Sequence, residues 1–110
     1  MGISLDEIAI VIADTSGVIH FWSKGAEGSF GYSAANAVGQ PLDLIVPVEF
    51  RDAHWRGFHR AISAGAAAAE GRPNEFPVLG ADGNIRTTPG RLVLLRLGDE
   101  RVIGAMVIFG

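Results

Sequence analysis

Hydrophobic and polar positions follow two rhythms along this chain. Ile8-Ala9-Ile10-Val11-Ile12-Ala13 is a β-branched run that predicts a strand. Asp14-Thr15-Ser16-Gly17 predicts a turn, and Val18 to Trp22 a second strand, so the two form a hairpin. From Ser23 the rhythm becomes helical. Ser23 caps a short helix over Lys24–Phe30, and Gly31-Tyr32 breaks it. Ser33 caps Ala34–Val38, which Gly39 stops. Leu42–Val46 is a further helical turn closed by Pro47, and a long helix runs from about Val48 to Ala64. Residues 65–71, including Ala66 to Ala69, have helix propensity but no amphipathic pattern and predict a mobile loop. Asn74–Leu79 is a strand that Pro77 places at an edge or bulge. After a turn at Ala81–Asn84 come Ile85–Leu97, a long strand bent at Pro89-Gly90, a turn at Gly98–Glu100, and a last strand at Arg101–Phe109. The order predicts one α+β domain over residues 1–110, a five-stranded antiparallel sheet with helices on one face.

The long helix holds the one side chain that breaks the pattern. At about 100° per residue, Phe50, His54, Phe58 and Ala61 share one arc, which Trp55 and Ile62 extend. His54 therefore lies inside the buried stripe, where its ring nitrogens need a partner. His59 faces the other way, among Asp52, Arg56 and Ser63, too far round the helix to share a zinc with His54. Gly65 suits the left-handed cap at the end of this helix. His20, in the second strand, reads as a partly exposed polar position.

Composition narrows the chemistry. The 110 residues are 48% hydrophobic, enough for a core and for either an internal pocket or a sticky surface. A net charge of -3 leaves no basic stripe for nucleic acid. The absence of cysteine excludes disulfides, thiolate catalysis and thiolate metal sites. No apolar run approaches the ~20 residues of a membrane span, and Met1-Gly2-Ile3-Ser4 does not open a signal peptide, so a cytoplasmic protein is expected. No nucleophile with an adjacent base and no phosphate-cradling glycine loop stands out, so the domain is not expected to be an enzyme.

Several segments in order resemble a PAS domain: Ala13-Asp14-Thr15-Ser16-Gly17-Val18-Ile19-His20-Phe21-Trp22, Ala26-Glu27, Phe30-Gly31-Tyr32-Ser33, Ala37-Val38-Gly39, Leu44-Ile45-Val46-Pro47, Ala81-Asp82-Gly83 and Arg101-Val102-Ile103-Gly104. The resemblance covers nearly the whole chain and implies a sensor or interaction module, with haem, flavin, a metabolite or nothing inside. The light-sensing flavin type needs a cysteine that this chain lacks, which leaves only noncovalent flavin. In haem-binding PAS domains the long helix carries a proximal histidine, and His54 falls on that position. The resemblance further implies Arg60 as a haem-propionate contact. Where those oxygen sensors place an arginine towards bound gas, this chain has Asn74.

A neutral imidazole is a good iron ligand. A haem b would pack on Phe58, Leu92 and Leu94, with Gly90 leaving room. Met106, read as inward-facing from its register with Gly104, either fills the core or supplies a sixth iron ligand. The expected function is a haem-based gas or redox sensor relaying to a partner or effector domain. The alternative is a haem-free PAS module for protein interaction or metabolite binding. Leu92–Leu95 and Val102–Phe109 are apolar at successive positions, so the outer sheet face is expected to pack on a second copy, an N-terminal helix or an effector domain.

Overall fold

Strand β1 (Ala9–Asp14) sits between β2 (Ile19–Trp22) and the last strand, β5 (Arg101–Phe109), in the computed structural model. The structure describes residues 4–68, 70–98 and 101–110. Strands β3 (Pro73–Leu79) and β4 (Ile85–Leu97) complete an antiparallel sheet in the order β2-β1-β5-β4-β3. Helices α1 (Lys24–Phe30), α2 (Ala34–Ala37) and α3 (Arg51–Ala64) follow β2, with short 3-10 turns at Leu42–Leu44 and Val48–Phe50. The expected architecture is the observed one. The first turn of the expected long helix is the 3-10 turn Val48–Phe50, and α3 proper starts at Arg51. Within the Ala66–Ala69 and Gly98–Glu100 expectations, Ala69, Asp99 and Glu100 lie outside the described residues, as do Met1 to Ile3.

Strand parity sets the two faces of the sheet. Ala9, Val11 and Ala13 of β1 pair with Phe109, Val107 and Ala105 of β5, and these side chains face the helices. Leu92 and Leu94 of β4 continue the same rows. The packed core lies under α1 and α2, where Trp22, Phe30 and Phe109 meet at centroid distances of 5.0–6.0 Å. Ser23 welds α1 to β1. Its hydroxyl donates to the Ile8 carbonyl at 2.8 Å and accepts from the N–H groups of Ile10 and Ala26 at 2.8 and 3.1 Å. A side chain at Gly25 would run into the Ile8 backbone, so the helix lies directly on the strand.

One strand detail departs from expectation and another meets it. Strand β4 does not break at Pro89-Gly90, because both residues stay in register with β3 at Glu75 and Asn74. The irregularity falls instead between Leu95 and Arg96. Pro77 is tolerated because β3 is an edge strand with an unpaired side.

The segment after α3 is tied down rather than loose. Strand β3 begins opposite Arg91, so beyond that point β4 has no partner on that side. Gly71 donates to the Leu92 carbonyl at 2.8 Å, and Glu70 accepts the Leu94 N–H at 2.9 Å. Arg96 bonds both Glu70 carboxylate oxygens and the Gly65 carbonyl. A side-chain carboxylate thus stands in for a missing strand.

Candidate functional site

Helix α3 is amphipathic, yet its apolar stripe is only half-buried and no residue of it is fully buried. Its N-terminal half is held at a distance from the sheet. Arg51 donates to the carbonyls of Val46 and Asp43 at 3.1 and 3.2 Å. Trp55 Nε1 donates to Asp43 Oδ1 at 2.7 Å, and the Trp55 ring lies over Gly17 so closely that no side chain fits there. Between α3 and the sheet is a cavity of about 550 Å³. That is within the range of small-molecule sites. Val11, Ala13, Ala105 and Val107 form its floor, with Leu92 and Leu94 beside them. Phe50, His54, Phe58 and Ile62 of the α3 side form its roof, and Phe76 and Val78 of β3 one wall. Ala53 and Gly57 line the cavity and are still exposed, so it communicates with solvent past the helix. Ala67 and Ala68, on the segment that Glu70 and Arg96 anchor, close another side.

Among the described wall residues, His54 alone has a hydrogen-bonding side chain. It stacks on Phe58 at 5.9 Å and meets the edge of Trp55 at 4.9 Å. Its Nδ1 is enclosed without a partner. Burial pushes the imidazole below its ordinary pKa, against an opposing pull from Asp43 and with a small push from His59. The ring is therefore neutral at pH 7. His59 is exposed and stacks on the outer side of Trp55 at 5.6 Å.

The other expected site residues divide. Phe58, Leu92 and Leu94 line the cavity with His54. Met106 does not. It pairs with Ile12 and Val93 on the outer face, while its neighbours Ala105 and Val107 face the cavity. The inward reading of Met106, and with it the sixth-ligand role, is corrected by this parity. Gly90 does not leave ligand room either. A Cβ there would meet the Ile108 carbonyl oxygen at 2.9 Å and the Phe109 and Phe76 rings at 3.3 Å. Arg60 is exposed and off the cavity wall, and Asn74 is exposed near the start of β3.

A haem finds a poor fit in this arrangement. Iron bound at Nε2 puts the imidazole proton on Nδ1, which normally donates to a carbonyl or carboxylate. Here Nδ1 has no acceptor. Sequence reading placed Ala61 on the inward arc but missed the floor residues and, on α3, Ala53 and Gly57. Ala53, Gly57 and Ala61, four apart along one face, were the available signal for a helix that leaves space beneath it.

Sheet order, helices across one face and a cavity under the longest helix together define the PAS fold. The PAS domain of a protein from Colwellia psychrerythraea is 26% identical and superposes with a TM-score of 0.79, over 94% of this chain and 85% of that one. The PAS domain of the Cronobacter turicensis RpfR quorum-sensing receptor, in complex with BDSF, is 18% identical with a TM-score of 0.73, over 98% and 96% of the two chains. An RNA-binding light-oxygen-voltage receptor matches at 21% identity and TM-score 0.72, over 94% of this chain and 29% of its own. An uncharacterized protein of Azorhizobium caulinodans is 30% identical over 100 residues, 90% of this chain. This chain spans only 14% of that relative. No family profile matches the chain.

Proposed function

We propose that this chain is a PAS sensor module that takes a small, mainly apolar ligand into the cavity under α3. The observation that carries the reading is the helix that does not close. An amphipathic helix normally buries its apolar face fully, whereas His54, Trp55, Phe58, Ala61 and Ile62 of α3 are only half-buried, over about 550 Å³ of apolar-walled space. A bound apolar molecule supplies the missing core. The RpfR receptor PAS domain, solved with BDSF and with C12:0, supports a cavity of this fold that holds a small ligand. The Azorhizobium relative carries the matching segment within a much longer chain, as a module working beside other domains would be carried.

Haem with His54 as axial ligand is the competing reading. A neutral histidine in the wall favours it; the orphan Nδ1 and the outward Met106 do not. Relay to a partner fits the outer sheet face. Phe21, Ile12, Met106 and Val93 form one continuous row there, and Phe21 is 46% exposed. We propose that this face packs on a second copy of the chain or on an effector domain. Among the described residues, no helix is long and apolar enough to cross a membrane. We retain the reading that the domain signals rather than catalyses.

Thermal unfolding and absorption spectra test the proposal together. Decanoyl-chain compounds should raise Tm by several degrees at concentrations well above Kd, because a ligand that binds only the folded state stabilises it. Added haem should give no sharp Soret band. A Soret band that His54→Ala abolishes would move the function to haem. Light scattering decides the outer face: a dimer assigns it to a second copy, a strict monomer to an effector domain.

A further inference from the structure

The cavity wall says more about the head group than about the length of its ligand. Among the described residues it carries no lysine or arginine. The arginines nearby are committed elsewhere. Arg51 is bonded to the Val46 and Asp43 carbonyls, Arg96 to Glu70 and Gly65, and Arg91 to the Gly71 carbonyl at 2.8 Å. Arg60 stands in solvent away from the wall. A carboxylate drawn into such a cavity loses its hydration and meets no counter-charge, which is among the costliest burials in a protein.

His54 sets the complementary requirement. A neutral imidazole has one proton to place. Nδ1 is enclosed with no partner, and an enclosed N–H without an acceptor is the rarer and costlier arrangement. The proton therefore belongs on Nε2, which has no hydrogen-bond partner among the described residues and is free to donate to water or, since His54 lines the cavity, to a ligand.

We infer that the ligand is a neutral amphiphile, an apolar chain bearing one acceptor oxygen such as a ketone or ester carbonyl, with that oxygen on His54, and not a free carboxylate. The inference rests on the cavity reading above. It makes His54 the residue that sets ligand class.

Calorimetric titration at pH 8 with decan-2-one and with decanoate, both below micelle-forming concentrations, tests it. Decan-2-one should bind at least tenfold more tightly than decanoate. His54→Leu should weaken the ketone about three- to tenfold, the loss of one net hydrogen bond, and leave decanoate unchanged. His54→Gln keeps an N–H donor and should retain most of the ketone affinity. Should His54→Leu not fold, the wild-type comparison and His54→Gln decide. Decanoate binding as tightly as decan-2-one, or a ketone affinity indifferent to His54→Leu, overturns the ligand class while leaving the cavity reading intact. Binding of neither compound overturns both.

Discussion

Replacing Ala105 with leucine separates an open cavity from a packed core by the sign of its effect. Ala105 lies mid-sheet on β5, between Ala13 of β1 and Leu94 of β4, and all three face the cavity. In a filled core the added isopropyl group overpacks and costs about 1–3 kcal/mol. Here the three extra carbons project into about 550 Å³ of space. At about 0.8 kcal/mol per carbon removed from water they contribute roughly 2.4 kcal/mol, from which ordering the leucine takes about 0.5–1 kcal/mol. A net gain of about 1.5 kcal/mol is expected, an upper figure because the unfolded chain already hides some apolar surface. Urea unfolding of ligand-free protein reads the change as a higher midpoint at unchanged slope. The same substitution should weaken decan-2-one binding by filling its space. A loss of 1 kcal/mol or more would falsify the open-cavity geometry.

Glu70→Gln keeps an acceptor for the Leu94 N–H but removes the charge facing Arg96. The hydrogen bonds from Arg96 and Leu94 hold the Glu70 carboxyl below its usual range. Its contribution is therefore full above the unfolded carboxyl pKa and fades as pH falls through the lower folded one. The variant should lose about 1 kcal/mol at pH 7 and much less near pH 3, measured by urea unfolding at both; an equal loss at both pH values contradicts the role of the charge. Gly17→Ala combines a left-handed φ of 81° with a collision against Trp55. It should cost at least about 2 kcal/mol and shift tryptophan fluorescence, and a silent substitution would show that Trp55 does not sit there. Trp55→Phe removes the indole donor to Asp43 and should loosen α3, seen as faster hydrogen exchange over residues 51–64 than over β5. Uniform exchange rates would argue that α3 is anchored elsewhere.

Much of this fold was legible because its punctuation is local. Ser23 and Ser33 cap their helices through their own hydroxyls, and Gly31 and Gly65 end helices at positive φ. The β-branched runs needed only period and turn residues to be read. Site reading failed where tertiary parity decides. Strand β5 is apolar on both faces, so nothing in its own pattern says which side Met106 takes. Gly104 was the wrong anchor for that choice, and pairing with β1 settles it. Arg60 lies about a third of a turn away from His54, so the helical period alone separates it from the cavity. Gly90 shows that a missing side chain can make room for two aromatic rings as readily as for a ligand. The tie from Glu70 to β4 had no sequence signal, because it depends on where β3 stops.

Methyl NMR under xenon pressure tests the central claim most directly, since xenon enters dry apolar cavities whatever head group the natural ligand carries. The account predicts saturable shifts at the methyls of Val11, Val107, Leu92, Leu94 and Ile62, which surround the cavity, and their loss in Ala105→Leu. Shifts confined to Ile12, Val93 and Ile108 on the outer face, or none at all, would contradict it.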